Sequence, residues 1–123
     1  MADYSNITVV SIHGNGGIAN SVDAVRRTQR ALPGSKALLI TNQAIGVEIP
    51  QRICGELDYA GYSHFVIYCL HQFIKTDYAL IVQDDGWALN PKAWKDHWLT
   101  FDYIGGLTHA AQKGNNYYRL YSW

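Results

Sequence analysis

Residues 78–90, YALIVQDDGWALN, are the stretch that decides the fold. Residues 78–82 are apolar or aromatic without a break, the pattern of a strand covered on both faces in a parallel sheet between helices. The run stops at Gln83-Asp84-Asp85-Gly86. Packing gives no reason for two adjacent carboxylates there, and the carboxyl edge of an open α/β sheet is where ligands bind. Strand alternation puts Gln83 and Asp85 on one side and Asp84 on the other. An amide oxygen and a carboxylate on a common side suit a hard divalent cation, Mg2+ or Mn2+. Asp85, Gln83 and Asp84 are therefore the metal-ligating candidates. Gly86 permits a sharp turn, or the close approach of a ligand to the backbone. A solvated acidic turn that only ends the strand is the competing reading, and the flanking sequence weighs against it.

Upstream, Tyr62, Phe65, Val66, Cys69, Leu70, Phe73 and Ile74 recur at steps of three and four, which predicts an amphipathic helix lying on the sheet. Further back, residues 7–12, ITVVSI, read as a buried strand, and residues 36–41, KALLIT, as another. Between them a helix is expected to begin at a cap on Asn20 or Ser21 and to stop at Pro33-Gly34. Strand, helix, strand at this spacing is a βαβ unit with parallel strands. Residues 43–60 have no clear period, and a short strand at 47–49 is the most they suggest. Downstream, Asn90-Pro91 opens a helix predicted to run to about Leu99 with Trp94 and Trp98 on one face. Short strands are expected at 101–104 and at 117–121. The fold class is thus α/β: a single Rossmann-like, three-layer domain over residues 1–123, with a mostly parallel sheet and helices on both faces.

Composition excludes more than it assigns. Ten Lys plus Arg balance ten Asp plus Glu, so the basic footprint of a nucleic-acid binder is absent. The start of the chain lacks a basic region followed by a long apolar run, and no segment has the roughly 20 apolar residues of a membrane helix. Cys54 and Cys69 are too few for a disulfide framework or a zinc site. A reduced, cytoplasmic setting is the expectation.

Two further motifs bear on chemistry. Gly14-Asn15-Gly16-Gly17-Ile18-Ala19 follows the first strand and matches the G-x-G-x-x-G/A dinucleotide fingerprint. That fingerprint also requires an acid at the end of the second strand, and Thr41-Asn42-Gln43 supplies none. A dinucleotide-dependent oxidoreductase is therefore a minor alternative. The five histidines show no metal-ligand spacing. His13 ends the first strand at the ligand edge, and His109 is a speculative extra contact to metal or phosphate. Together with Ser11 and Asn42, His13 joins Gln83, Asp84 and Gly86 as the set expected to line a ligand at that edge.

The block from Tyr62 to Gly106 carries a resemblance. Tyr-Ser-x-Phe opens the helix, a Thr-Asp-aromatic strand follows, then Leu-Ile-Val-Gln-x-Asp-Gly, Asn-Pro-x-x-Trp and Phe-Asp-Tyr-Ile-Gly, all in order over about a third of the chain. This series resembles a family of glycosyltransferase-like proteins of the GT-A type. The resemblance implies a nucleotide-diphosphate sugar as donor, a carbohydrate or other hydroxyl acceptor, and a divalent metal held by the Asp-x-Asp-type motif. Gln83 and Asp85 fall on the motif's outer positions. Asp84 stands where the family more often has an aromatic. Family members continue past Tyr-Ile-Gly into an acceptor-binding half, and this chain ends soon after, as a minimal or truncated form would. Asp102 is a weak candidate for a catalytic base. The function expected is metal-dependent sugar transfer, with a non-catalytic nucleotide-sugar-binding domain as its rival.

Overall fold

The computed structural model describes residues 3–105, 108–112 and 117–121. Its centre is a four-stranded, all-parallel sheet in the order β3-β2-β1-β4. β1 is Ile7–His13, β2 is Lys36–Thr41, β3 is Gln51–Ile53 and β4 is Tyr78–Ile81. β1 pairs with β2 from Thr8↔Lys36 to His13↔Thr41, and with β4 from Ile7↔Tyr78 to Val10↔Ile81. The expected parallel arrangement of these three strands is what the chain adopts. The short strand of the middle region falls at Gln51–Ile53 rather than at 47–49. Pro50 closes the preceding loop, and its carbonyl accepts from Leu39 N at 2.9 Å.

Side-chain alternation in the two central strands divides the core into two layers. Val9 and Leu39 face one side, where Ile18, Val22, Ala24 and Val25 of helix α1, Ile18–Ala31, cover them. Val10, Ile12, Leu38 and Ile40 face the other side, beneath Phe65 and Leu70. Each fully buried Val, Leu or Ile is worth about 1.5–3 kcal/mol, and β1 and β2 supply seven such buried side chains: Ile7, Val9, Val10, Ile12, Leu38, Leu39 and Ile40.

Helix α1 begins earlier than its expected cap. Gly17 is the N-cap, with φ of 82°, and Gly16 has φ of 84°. Two successive left-handed residues tighten the entry, which glycine tolerates and other residues resist. Asn20 and Ser21 therefore lie inside the helix.

The second helical stretch departs from the single helix predicted over 62–74. Helix α2, Tyr59–His64, is capped by the Asp58 carboxylate, which accepts from Gly61 N at 2.7 Å. It passes into a π-helical turn at Phe65–Cys69 and a 3-10 turn at Leu70–Gln72. Residues five apart on an α-helix point about 140° apart. Widening the turn, so that Leu70 N bonds Phe65 O, puts Phe65 and Leu70 together on the sheet. The cost falls on Ile67 and Tyr68, which are pushed out and stay exposed.

After Gly86 the chain runs back along α1. Ala88 N donates to the buried Thr28 hydroxyl at 3.1 Å, and Arg27 stacks over Trp87. The helix expected from Pro91 is instead two 3-10 turns, Pro91–Ala93 and Asp96–Thr100. Lys95, between them, is extended. Trp94 and Trp98 do meet, edge to face at 5.4 Å, and Trp94 packs on Tyr4 at the amino edge of the sheet. Residues 101–104 form a bend and irregular chain rather than a strand. β5, Thr108–Gln112, pairs antiparallel with β6, Tyr117–Tyr121; the side chain of His109, in β5, and Gly106 lie outside the described residues. Among those residues no helix is long and apolar enough to cross a membrane, and both cysteines are free thiols.

Candidate functional site at the carboxyl edge of the sheet

The strand order fixes where a ligand fits best. From β1 the chain steps one way to β2 and β3, then returns on the other face of the sheet to place β4 on the opposite flank of β1. The order reverses between β1 and β4, and in open parallel sheets ligands bind beyond the carboxyl ends of the strands at such a switch point. His13 ends β1 on one side of it, and Gln83 and Asp84 follow β4 on the other.

Gln83 and Gly86 close a tight turn. Gln83 N donates to Gly86 O at 3.0 Å and Gly86 N to Gln83 O at 3.1 Å. Asp84 and Asp85 occupy its two corners, exposed, with no hydrogen-bond or ion-pair partner among the described residues. The expectation that Gln83 and Asp85 share a side rested on strand alternation. Regular strand geometry ends at Ile81, so alternation does not extend to Asp85. Gln83 is partly committed, since its Nε2 donates to the Tyr62 hydroxyl at 3.0 Å. Its Oε1 is the atom left for a ligand. Tyr62 is a site residue that periodicity assigned to packing alone; the Tyr-Ser-x-Phe motif it opens was the available signal.

Asp84 acts electrostatically on His13. Burial holds His13 below the ordinary imidazole range, and the Asp84 charge opposes that shift, so the two groups are electrostatic neighbours across the switch point. His13 Nε2 and the Ser21 hydroxyl are 2.8 Å apart. Ser21, fully buried in α1, thus sets the ring's orientation, a role its position in the helix sequence did not announce.

Other expected lining residues are less available. Ser11 is fully buried and its hydroxyl has no partner. It sits two residues inside β1, beneath the edge rather than on it. Asn42 is at the edge, but its Oδ1 accepts from Gly16 N at 3.0 Å, so it braces the glycine loop. Gly86 is exposed, with open space where a side chain would be.

The glycine loop itself has an internal explanation. Gly14 is buried against Leu57, whose backbone N donates to Gly14 O at 2.8 Å. Gly14 lets a segment of this chain approach, where the dinucleotide fingerprint would have a pyrophosphate. With Gly16 N taken by Asn42 as well, the loop's glycines serve the fold. The same docking brings Glu56, beside Leu57, to this edge as an exposed carboxylate with no hydrogen-bond or ion-pair partner among the described residues. Asp58 on the other side is used as the cap of α2.

Asp102 is not gathered to the site. The Tyr78 hydroxyl donates to Leu99 O at 2.6 Å, which ties Leu99 to the first residue of β4; Asp102, three residues on, is exposed and makes no hydrogen bond or ion pair to residues 83–86 among the described residues.

For a cation, Asp84 and Asp85 provide two anionic donors with nothing else to bind. Among the described residues no cluster of three or more His, Cys, Asp or Glu exists. That donor set fits Mg2+ or Mn2+, which are commonly held by one or two carboxylates with substrate phosphates and water completing the shell. Compared with protein-family models, curated proteins and solved structures, the chain gives no match.

Proposed function

We propose that the crevice between β1 and β4 binds a nucleotide-diphosphate sugar together with Mn2+ or Mg2+, and that the protein transfers the sugar to a hydroxyl acceptor, as the GT-A-like motif series implies. The observation that carries this reading is the pair of carboxylates, Asp84 and Asp85, that have no partner among the described residues, on a tight turn at the switch point of a parallel sheet. In it, Asp84 and Asp85 hold the cation, with Gln83 Oε1 able to complete the set. The bound cation would neutralise the charge that develops on the departing diphosphate. Tyr62 fixes Gln83 through its amide nitrogen. His13, held by Ser21 and kept below its ordinary range, offers a neutral ring to the ligand and adds no competing positive charge. Inversion at the sugar would require a base for the acceptor hydroxyl, and Glu56 is the free carboxylate that the fold carries to this edge.

The non-catalytic, nucleotide-sugar-binding reading rests on one observation: the base candidate Asp102 makes no hydrogen bond or ion pair to residues 83–86 among the described residues, and Leu99, three residues before it, is held at the first residue of β4. Both readings share the ligand. The test is a thermal-shift series with uridine and guanosine diphosphates, each with and without Mn2+, and with NAD. A diphosphate with Mn2+ is expected to raise the melting temperature, because a ligand bound by the native state adds RT ln(1 + [L]/Kd), roughly 2.7 kcal/mol at a hundredfold excess over Kd. NAD is expected to leave it unchanged. A shift with NAD alone would return the glycine loop to a dinucleotide role and remove the sugar-transfer reading.

A further inference from the structure

The glycine loop between β1 and α1 holds a pair of residues that neither the fold nor the proposed ligand uses. Of the seven asparagines in the chain, only Asn15 is followed by glycine. Asn15 is exposed and lies in a bend, outside both β1 and α1. Its side chain makes no hydrogen bond among the described residues. Open space lies beside Gly16, where an added Cβ would meet nothing within 4 Å.

This pair sets up a reaction within the chain. The main-chain nitrogen of Gly16 can attack the side-chain amide carbon of Asn15, Cγ, and close a five-membered ring. Attack between neighbouring residues has the advantage of proximity, and glycine places no side chain beside the attacking nitrogen. The other asparagines are worse placed. Asn90 precedes Pro91, which has no N–H to lose. Asn6 precedes β-branched Ile7, whose nitrogen donates to Tyr4 O at 3.0 Å. Asn20 and Ser21 are fixed inside α1, and Asn42, Asn115 and Asn116 precede Gln43, Asn116 and Tyr117. One restraint acts on the Asn15 pair. Gly16 N donates to Asn42 Oδ1 at 3.0 Å. A neutral amide oxygen is too weak a base to remove that proton, so the bond keeps on the nitrogen a proton it must lose to attack. One neutral hydrogen bond amounts to about fivefold in a rate, which slows the attack without preventing it.

We infer that Asn15 is a site of spontaneous deamidation in the folded protein, with Asn42 as its brake. The Gly16 nitrogen gives up its proton and bonds to Asn15 Cγ. The bond from Cγ to the side-chain nitrogen breaks, and ammonia leaves carrying a proton. Water then opens the cyclic imide at either carbonyl, giving aspartate or isoaspartate. Both products put a carboxylate two residues from His13, and isoaspartate lengthens the main chain of the loop by one methylene. The conversion needs only water, and it uses neither Asp84 nor Asp85. It therefore stands or falls independently of the sugar-transfer reading.

The test follows each asparagine by peptide mass spectrometry while the whole chain is held at neutral and at mildly alkaline pH. The parent is compared with Asn42→Ala and Gly16→Ala, in buffer and in urea. In the folded parent, Asn15 is expected to convert ahead of the other asparagines, and faster at the higher pH. Asn42→Ala should speed conversion at Asn15 about fivefold in buffer and leave the rate in urea unchanged, where the bond is absent from both proteins. The remaining asparagines should keep their rates. Gly16→Ala should slow conversion several-fold in both media, because a methyl beside the nitrogen hinders ring closure in any state of the chain. Another asparagine converting first in the folded parent would overturn the inference. So would an Asn42→Ala rate equal to the parent's in buffer, an acceleration that persists in urea, or a general rise at all asparagines, the mark of a loosened chain.

Discussion

Gly14→Ala is expected to lower the stability of the protein by about 2 kcal/mol or more. The reason is space, not backbone freedom, since Gly14 does not have a positive φ. A Cβ added at Gly14 would stand 2.7 Å from the backbone nitrogen of Leu57 and closer still to its side chain. Backbone cannot swing aside as the end of a flexible side chain can. The methyl group would have to push the 54–58 segment off the loop and break the bond from Leu57 N to Gly14 O. The comparison is Gly16→Ala, where the added Cβ meets nothing within 4 Å but φ is 84°. That change costs only the left-handed penalty of about 1–2 kcal/mol. Urea denaturation of both variants decides the matter. If Gly14→Ala proves milder than Gly16→Ala, Leu57 does not dock on the glycine loop.

Leu39→Ala carries the largest expected effect in the core, about 3 kcal/mol. Leu39 is fully buried, sits on the inner strand β2 opposite Ser11 and Gln51, and packs in the layer under α1. Truncation leaves a cavity that β1, β3 and α1 cannot jointly close. A loss of that size is a large fraction of the 5–15 kcal/mol typical of a domain. Ile53→Ala, at a 58 % exposed position on the edge strand β3, should stay within about 0.5 kcal/mol of the parent. Equal effects at the two positions would contradict the strand order.

The parallel sheet was legible because its strands are apolar on both faces. Residues 7–12 and 36–41 announce burial whatever the register, and α1 follows from the spacing between them. Residues 78–82 read the same way, but β4 is an edge strand: Ala79 and Ile81 are exposed and it is not covered on both faces. Three features were less legible. The edge strand Gln51–Ile53 is three residues long and partly exposed, too short for any period to show. The π-turn at Phe65–Cys69 shifts a helical phase by one residue, and steps of three and four describe a straight helix equally well. The two 3-10 turns after Pro91 begin with a good helix start, Asn90 accepting from Lys92 N at 3.0 Å, but extended Lys95 breaks the run.

At the candidate site the sequence placed the residues better than it oriented them. His13 and Gln83-Asp84-Asp85-Gly86 do meet at one edge, because each follows a strand of the same parallel sheet. Their side chains could not be assigned beforehand. Alternation holds only while the strand does, and a turn bonded both ways between Gln83 and Gly86 ends it. The partners that fix the site, Ser21 for His13 and Tyr62 for Gln83, come from helices on opposite faces of the sheet. No local pattern reports such contacts.

The claim that this edge is a cation-dependent diphosphate site is tested most directly by calorimetric titration of uridine diphosphate, with and without Mn2+, on the parent, Asp84→Asn and Asp85→Asn. Asparagine keeps the shape and one oxygen but loses the charge, and a hard cation depends on its anionic donors. Both carboxylates are exposed corners of one turn, so neither change should unfold the protein. Mn2+-dependent binding to the parent is expected, with a loss of at least about tenfold in each variant. Binding that is equally tight in all three proteins with Mn2+ present, or that is indifferent to Mn2+ in the parent, would contradict it and leave residues 83–86 as an acidic turn at the end of a strand.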